Sequence, residues 1–293
     1  MALAPPRSLS PSKVSSFTDC PLAFRLSVID RLPEDPSAAA VKGTLVHRAL
    51  EALVWEHAPG DRTVGVATAE IHRSWRAMQD DTEVQRLALT DDESEKLVGD
   101  AVVLAGRYFE LEDPDRVHAV GVELGLEADV DGLRLRGVID RLDLNDDGDL
   151  VVIDYKTGRA PSEGFERAKL AGVQVYALLC ERVLGRAPVE VRLLYLREPV
   201  TIVATPTDQS IRGQRRRAVA VWRAIERACD LGDFRPRPSR LCSYCSFQAL
   251  CPAFDGAAPA AGAAVDGADQ PEVAPAPART ASPTPRLPSH DGR

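Results

Sequence analysis

No stretch of the chain approaches the roughly 20 consecutive apolar residues that a bilayer-spanning helix needs. The opening Met1-Ala-Leu-Ala-Pro-Pro-Arg has neither the charged start nor the apolar run of a secretory signal. The expectation is a cytoplasmic protein with no membrane partner. A Gly-rich phosphate loop ending in Lys-Ser or Lys-Thr is missing too, so any nucleotide-driven motor would have to be a separate chain. No internal repeat is evident. An excess of positive charge is also lacking: the 293 residues carry a formal net charge of −8, unlike a simple nucleic-acid coat protein.

The charge is nevertheless uneven. Acidic residues dominate from Asp80 to Asp115, whereas Ile211 to Arg240 holds nine arginines, from Arg212 to Arg240 itself. Screening limits each charge to a reach of about 10 Å, so a local basic stripe can bind phosphate on an acidic protein. A solvated helix face explains the same pattern. From Asp255 onward Ala, Pro, Gly, Ser and Thr predominate. Such a composition cannot bury enough apolar surface to order itself, so residues 255–293 are expected to form a disordered tail. The remainder, 1–254, is long enough for one large domain.

Ser10-Pro11 gives an N-cap followed by proline at the first helical position, and Cys20-Pro21 closes that helix before a proline- and alanine-rich loop. Gly43 to Trp55 has apolar residues at helical spacing. Helical stretches around Ala67 to Met78 and Glu93 to Glu110 complete a helical insertion over 60–115. The pattern then shortens to strand-like runs at Val117–Glu127, Leu133–Leu144 and Leu150–Lys156, with an Asn145-Asp-Asp-Gly-Asp turn between the last two. A helix follows over Ala168–Leu184, then strands near Val189–Leu196 and Thr201–Ala204, then an Arg-rich helix over Gln209–Cys229. Strands among helices imply an α/β protein.

Gly137-Val-Ile-Asp140-Arg-Leu-Asp143 and Val151-Val-Ile-Asp154-Tyr-Lys156-Thr-Gly158 hold the chemistry-bearing residues. Side chains alternate along a strand, so Asp154 and Lys156 share a face, and a hairpin can bring Asp140 beside them. Two carboxylates and an ammonium at one point suit a hard divalent cation such as Mg²⁺ or Mn²⁺. The cation would activate water and polarise a phosphate, while Lys156 positions or stabilises the nucleophile. An isolated Asp-x-Lys is common and would read as a surface ion pair; Asp140 and the Lys-Thr-Gly continuation set this one apart.

These two motifs resemble the nuclease core of the PD-(D/E)XK superfamily, in its RecB-like branch. The resemblance implies a central mixed β-sheet flanked by helices, a restriction-endonuclease-like core. It extends to the CRISPR adaptation nucleases and to the C-terminal nuclease domain of AddB-type helicases. It further implies that a histidine from an upstream helix joins the metal. Lys42-Gly-Thr-Leu-Val-His47-Arg-Ala-Leu-Glu resembles that helix, so His47 takes the ligand role, and the backbone carbonyl of Tyr155 contributes as well. A downstream helix in the family has glutamine and tyrosine spaced by three. Here Gln174-Val-Tyr176 departs from that spacing, which leaves Gln174 without a clear role. Glu123 and Arg141 occupy positions where the family often has polar residues near the site, and core salt bridges would account for both equally well.

Six cysteines in a chain expected to be cytosolic point to metal binding rather than disulfides. Cys242-x2-Cys245-x5-Cys251 supplies three thiolates, with Cys20 the candidate fourth, and tetrahedral sulfur suits zinc or iron–sulfur alike. Resemblance to the iron–sulfur-bearing branch, with one cysteine before the nuclease core and three after it, favours a [4Fe–4S] cluster of structural role. Cys180 and Cys229 read as ordinary buried cysteines. The function implied is a metal-dependent deoxyribonuclease, a single-strand exonuclease in recombination or repair, acting on DNA with a helicase as a possible partner on another chain. The competing reading is a non-catalytic DNA-binding adaptor held together by a structural metal cluster.

Overall fold

A computed structural model describes residues 3–161 and 166–259, without the side chains of 166–173. A five-stranded sheet in sequential order β1-β2-β3-β4-β5 forms its centre. The strands are β1 (Ala119–Val130), β2 (Leu133–Leu144), β3 (Leu150–Lys156), β4 (Glu190–Tyr195) and β5 (Val200–Ala204). Neighbours pair antiparallel except β3 and β4, which run parallel and are joined through the helix α7 (Glu166–Leu184). A parallel pair cannot be closed by a tight turn, so this crossover helix is obligatory. Between β1 and β2, Asp131 and Gly132 both adopt positive φ, 56° and 80°, as a two-residue turn matched to strand twist requires. Asn145 Oδ1 accepts from the backbone N–H groups of Asp147 and Asp149 and so closes the β2–β3 turn.

Helices cover both faces, and strand alternation sorts the side chains between them. Leu150 and Val152 face a core built with α1 (Pro11–Asp19), α7 and α8 (Asp208–Leu231). Val151, Ile153 and Tyr155 face a second core built with α3 (Ala38–Trp55), α4 (Val64–Met78) and α6 (Asp91–Tyr108). Each fully buried Leu or Ile in these layers, such as Leu45, Leu50 and Ile139, contributes about 1.5–3 kcal/mol. The α/β architecture with a mixed sheet between helical layers is as the sequence implied. The tail expected from 255 is described only as far as Pro259, and 260–293 lie outside the described residues.

Element boundaries differ in physically readable ways. Ser10 caps α1 by accepting from Lys13 N–H, and Cys20 leaves helical geometry at φ −157°. The segment after it is not the loop expected from its proline and alanine. Pro21 starts the short helix α2 (Pro21–Phe24), which continues into a π-helical turn, Arg25–Ile29. Proline at the first position of a helix costs no hydrogen bond, which the loop reading overlooked. The third helix begins at Ala38, not Gly43, because Ser37 accepts from Ala40 N–H and starts it earlier. Another short helix, α5 (Thr82–Leu87), occupies the acidic stretch read as a break, and the first strand starts at Ala119 and continues to Val130.

Where α7 crosses β2, Gly137 gives close approach. A Cβ there would lie 3.0 Å from Leu179 Cδ1 and 3.0 Å from Tyr176 Cε1. Gly137→Ala is therefore expected to cost about 1–3 kcal/mol of stability, read as a lower urea midpoint. An unchanged midpoint would mean that this layer has slack the distances deny.

Candidate metal centre

The β2–β3 ladder ends with Arg141 opposite Ile153, so Asp140 and Asp154 stand at its open end. On the other side of β2, Val122 pairs with Arg141 and Leu124 with Ile139, which puts Glu123 across from Asp140. Glu123 has φ 44°, a left-handed conformation that a residue with a Cβ adopts only at a cost. This kink in β1 coincides with a convergence of ligand atoms. One atom each from His47, Glu123 and Asp140 lies within 4.8 Å of the others. His47 reaches the site from α3, whose neighbouring Leu45, Val46, Ala49 and Leu50 are buried against the sheet. Its Nδ1 is 3.5 Å from Asp140 Oδ2. The same Oδ2 accepts the backbone N–H of Tyr155 at 2.7 Å, which fixes the carboxylate's orientation.

Asp154 and Lys156 share a face of β3, as strand alternation requires, and form an ion pair through Oδ2 and Nζ. Asp154 is buried, and that oxygen takes no other hydrogen-bond donor among the described residues. Burial, then the neighbouring Asp140 charge, push its carboxyl above the usual range, against the pull of Lys156 and His47. For Lys156 burial works to discharge the ammonium, but Asp154 and Asp140 overcome it and keep the amine charged. Glu123 is pushed up to about 7 by desolvation and by Asp140 and Glu51, with Arg48 opposing. Three carboxylates thus crowd together with too little positive charge nearby, and a divalent cation of oxygen-preferring chemistry fits that deficit.

The sequence reading brought together Asp140, Asp154, Lys156, Tyr155 and His47, and the structure places all five in one region. It put Glu123 near the site without giving it a ligand role, because the approach depends on strand register and on the kinked backbone. Burial, and then the charges of Asp154, Asp140 and Glu123, raise the Tyr176 hydroxyl above its ordinary range. Gln174, two residues earlier, accepts from Gln214 of α8 at 3.5 Å.

Cys20, Cys242, Cys245 and Cys251 line one cavity of about 340 Å³ where α2 meets the 3₁₀ turns after α8. Backbone N–H groups of Arg237 and Ser239 donate to Cys20 Sγ and Cys242 Sγ at 3.4 and 3.3 Å. Gly256 packs so closely that a Cβ would come 2.7 Å from Cys251 N. Cys180 and Cys229 are buried elsewhere, as the sequence suggested.

Because the Glu123 carboxyl titrates near 7 in the fold against about 4.5 when unfolded, its charge costs stability increasingly as pH rises from 4.5 through 7. In chelator, Glu123→Gln is expected to raise stability at pH 8 by about 1–2 kcal/mol, the side chain being partly open to solvent. The gain should shrink toward zero near pH 4.5 in thermal unfolding, and a gain independent of pH would contradict this account.

The model of the PD-(D/E)XK nuclease superfamily matches residues 8–252. A CRISPR-associated exonuclease Cas4/endonuclease Cas1 fusion from Myxococcus xanthus is 35% identical over 178 residues, 57% of this chain. The match spans only 29% of that relative's length. The Gene 69 protein of Mycobacterium phage D29 is 28% identical over 277 residues, covering 84% of this chain and 96% of its own. Among solved structures, a putative exonuclease from Eubacterium rectale superposes with a TM-score of 0.51 at 13% identity, over 82% of this chain and 87% of that one. That superposition speaks for the fold. With the sheet order, the strand-end carboxylates and a family match covering nearly all of the described residues, the chain belongs to the PD-(D/E)XK nuclease superfamily.

Proposed function

We propose that this chain is a Mg²⁺- or Mn²⁺-dependent deoxyribonuclease of the RecB-like branch, acting on single-stranded DNA from an end, in recombination or repair. The observation that carries the reading is the convergence of His47, Glu123 and Asp140 within 4.8 Å beside the ion pair of buried Asp154 with Lys156. His47, Asp140, Asp154 and the Tyr155 carbonyl would hold the cation, with Glu123 as an additional carboxylate. The bound cation supplies charge neutralisation at the phosphate and a more acidic water. Lys156, kept charged by Asp154, offers its ammonium to the attacking oxygen or the developing charge. The exonuclease assignment draws on the similarity to the Myxococcus xanthus Cas4 exonuclease/Cas1 fusion. The basic helix over 209–227 would guide the strand's phosphates, with its Arg212 sharing a cleft with Arg182 of α7, where Glu181 and Asp208 also lie. A helicase on a separate chain would deliver that strand.

In this reading residues 1–254 form one nuclease domain with a helical insertion over 60–115, followed by the 255–293 tail. A [4Fe–4S] cluster on Cys20, Cys242, Cys245 and Cys251 ties the two ends of the domain together. The shared cavity and the two N–H donors to sulfur fit such a group. Its ligands lie more than 200 residues apart in sequence. Closing so long a loop would restrict the unfolded chain by about 4–5 kcal/mol if treated like a disulfide.

Lys156→Ala is expected to slow cleavage of end-labelled single-stranded DNA in Mn²⁺ by about 100-fold or more, with DNA binding retained. Full activity in that variant would remove the assignment. Anaerobically purified protein should contain iron and acid-labile sulfide. Cys245→Ala should lose both and melt at a lower temperature; zinc alone in the wild-type site would overturn the cluster.

A further inference from the structure

Arg141 is the largest fully buried side chain among the described residues, 1% exposed, yet it directly follows a carboxylate of the metal-binding group. Alternation turns it to the face of β2 opposite Asp140, into the core shared with α3, α4 and α6. Its guanidinium is saturated with partners. Nε donates to Asp143 Oδ1 at 2.9 Å and Nη2 to Asp143 Oδ2 at 2.9 Å. Nη1 and Nη2 donate to the two oxygens of Glu112 at 2.5 and 3.0 Å. Nη1 also donates to the hydroxyls of Tyr155 at 2.6 Å and Tyr108 at 3.2 Å. One buried cation thus holds two carboxylates and two phenols.

A buried ion cluster of this kind is a poor source of stability, because desolvation offsets most of the Coulomb attraction. Its geometry points to another use. Tyr155 is bound at both ends: its backbone N–H donates to Asp140 Oδ2, and its hydroxyl is held by Arg141. Between these anchors its ring lies edge-on to His47 at 5.8 Å and to Tyr108 at 5.9 Å, with the Arg141 guanidinium 5.6 Å from its centroid. Tyr155 therefore touches two members of the ligand group, His47 and Asp140, as well as presenting its own carbonyl. Glu112 belongs to neither strand. It lies just after α6, at the point where the helical insertion returns to the sheet.

We propose that Glu112 and Arg141 form a positioning clamp which fixes the metal-site geometry through Tyr155, so that cation affinity depends on the docking of the insertion. This rests on the metal-dependent reading above. Partners of a ligand, although they never touch the ion, hold its orientation and typically tune metal affinity. Glu112→Gln keeps the shape of the side chain while removing one of the two negative charges that hold Arg141. Tyr155→Phe keeps the ring and the carbonyl but removes the hydroxyl that Arg141 holds.

The test is a titration of full-length protein with Mn²⁺ alone by electron paramagnetic resonance, alongside cleavage rates over the same Mn²⁺ range. Glu112→Gln should raise the Mn²⁺ dissociation constant and the half-saturating concentration by about tenfold or more. Its rate at saturating Mn²⁺ should stay within about threefold of wild type, a split that general loss of folded protein would not produce. Tyr155→Phe should likewise raise the Mn²⁺ dissociation constant, and that binding measurement carries the test if Glu112→Gln does not fold. If wild type binds Mn²⁺, Asp140→Asn does not, and both clamp variants match wild type in half-saturation, the clamp is overturned and the metal site stands. The clamp is likewise overturned if rates drop equally at all Mn²⁺ concentrations. If wild type binds no Mn²⁺, the metal reading fails and the clamp with it.

Discussion

Mutual repulsion among Glu123, Asp140 and Asp154 is the force that the surrounding structure has to contain. Each would be better hydrated apart, and burial makes their proximity costlier still. Containment comes from both sides of the sheet. On one face Lys156 neutralises Asp154; on the other, Arg141 gathers Asp143, Glu112 and two tyrosines. The backbone of Tyr155 links the two by donating to Asp140. The apolar layers around α3 and α7 then make the separation of these strands costly, since moving them apart would expose residues such as Ile139, Val152 and Ile153.

Much of this was legible in the residues alone, for a simple reason. Strand alternation is a local rule, so Asp154 and Lys156 could be assigned to one face from spacing, and the Asn145 turn put Asp140 within reach. Caps are equally local, and Ser10 and Pro11 mark the start of α1 as expected. Features set by long-range geometry were harder to read. Glu123 comes beside Asp140 only because β1 pairs with β2 in one register and kinks at a left-handed residue, neither of which spacing encodes. Arg141 could be recognised as polar and near the site, but its four partners arrive from β2, β3, the end of α6 and the loop that follows. Gln174 shows the converse. A motif with altered spacing kept the right residue types, yet Gln174 pairs with Gln214 of α8 while the Tyr176 ring packs over Gly137 of β2.

Charge follows a similar division of labour. The acidic stretch read as a break in the insertion is partly α5 and partly the first turn of α6, where Thr90 and Glu93 form a capping box. Asp91, Asp92 and Glu93 there are placed favourably against the helix dipole. The arginines of α8 are not all free for a ligand, since Arg215 is committed to Asp131 at the β1–β2 turn. The net −8 thus conceals a local arrangement in which several charges serve helix ends and strand turns.

Leu3 donates its backbone N–H to Cys229, Leu9 bridges to Leu135, and the cavity of Cys20 is completed only by residues 236–254. On the ribosome the first helix therefore emerges with none of its long-range neighbours yet made. The carboxylate-bearing hairpin can assemble while the amino-terminal segment still waits for partners nearly the whole chain away. Such distant closure slows folding, because loop entropy is lost before the contacts that reward it form. A nascent or truncated chain would thus hold the reactive strands together before the last join is sealed.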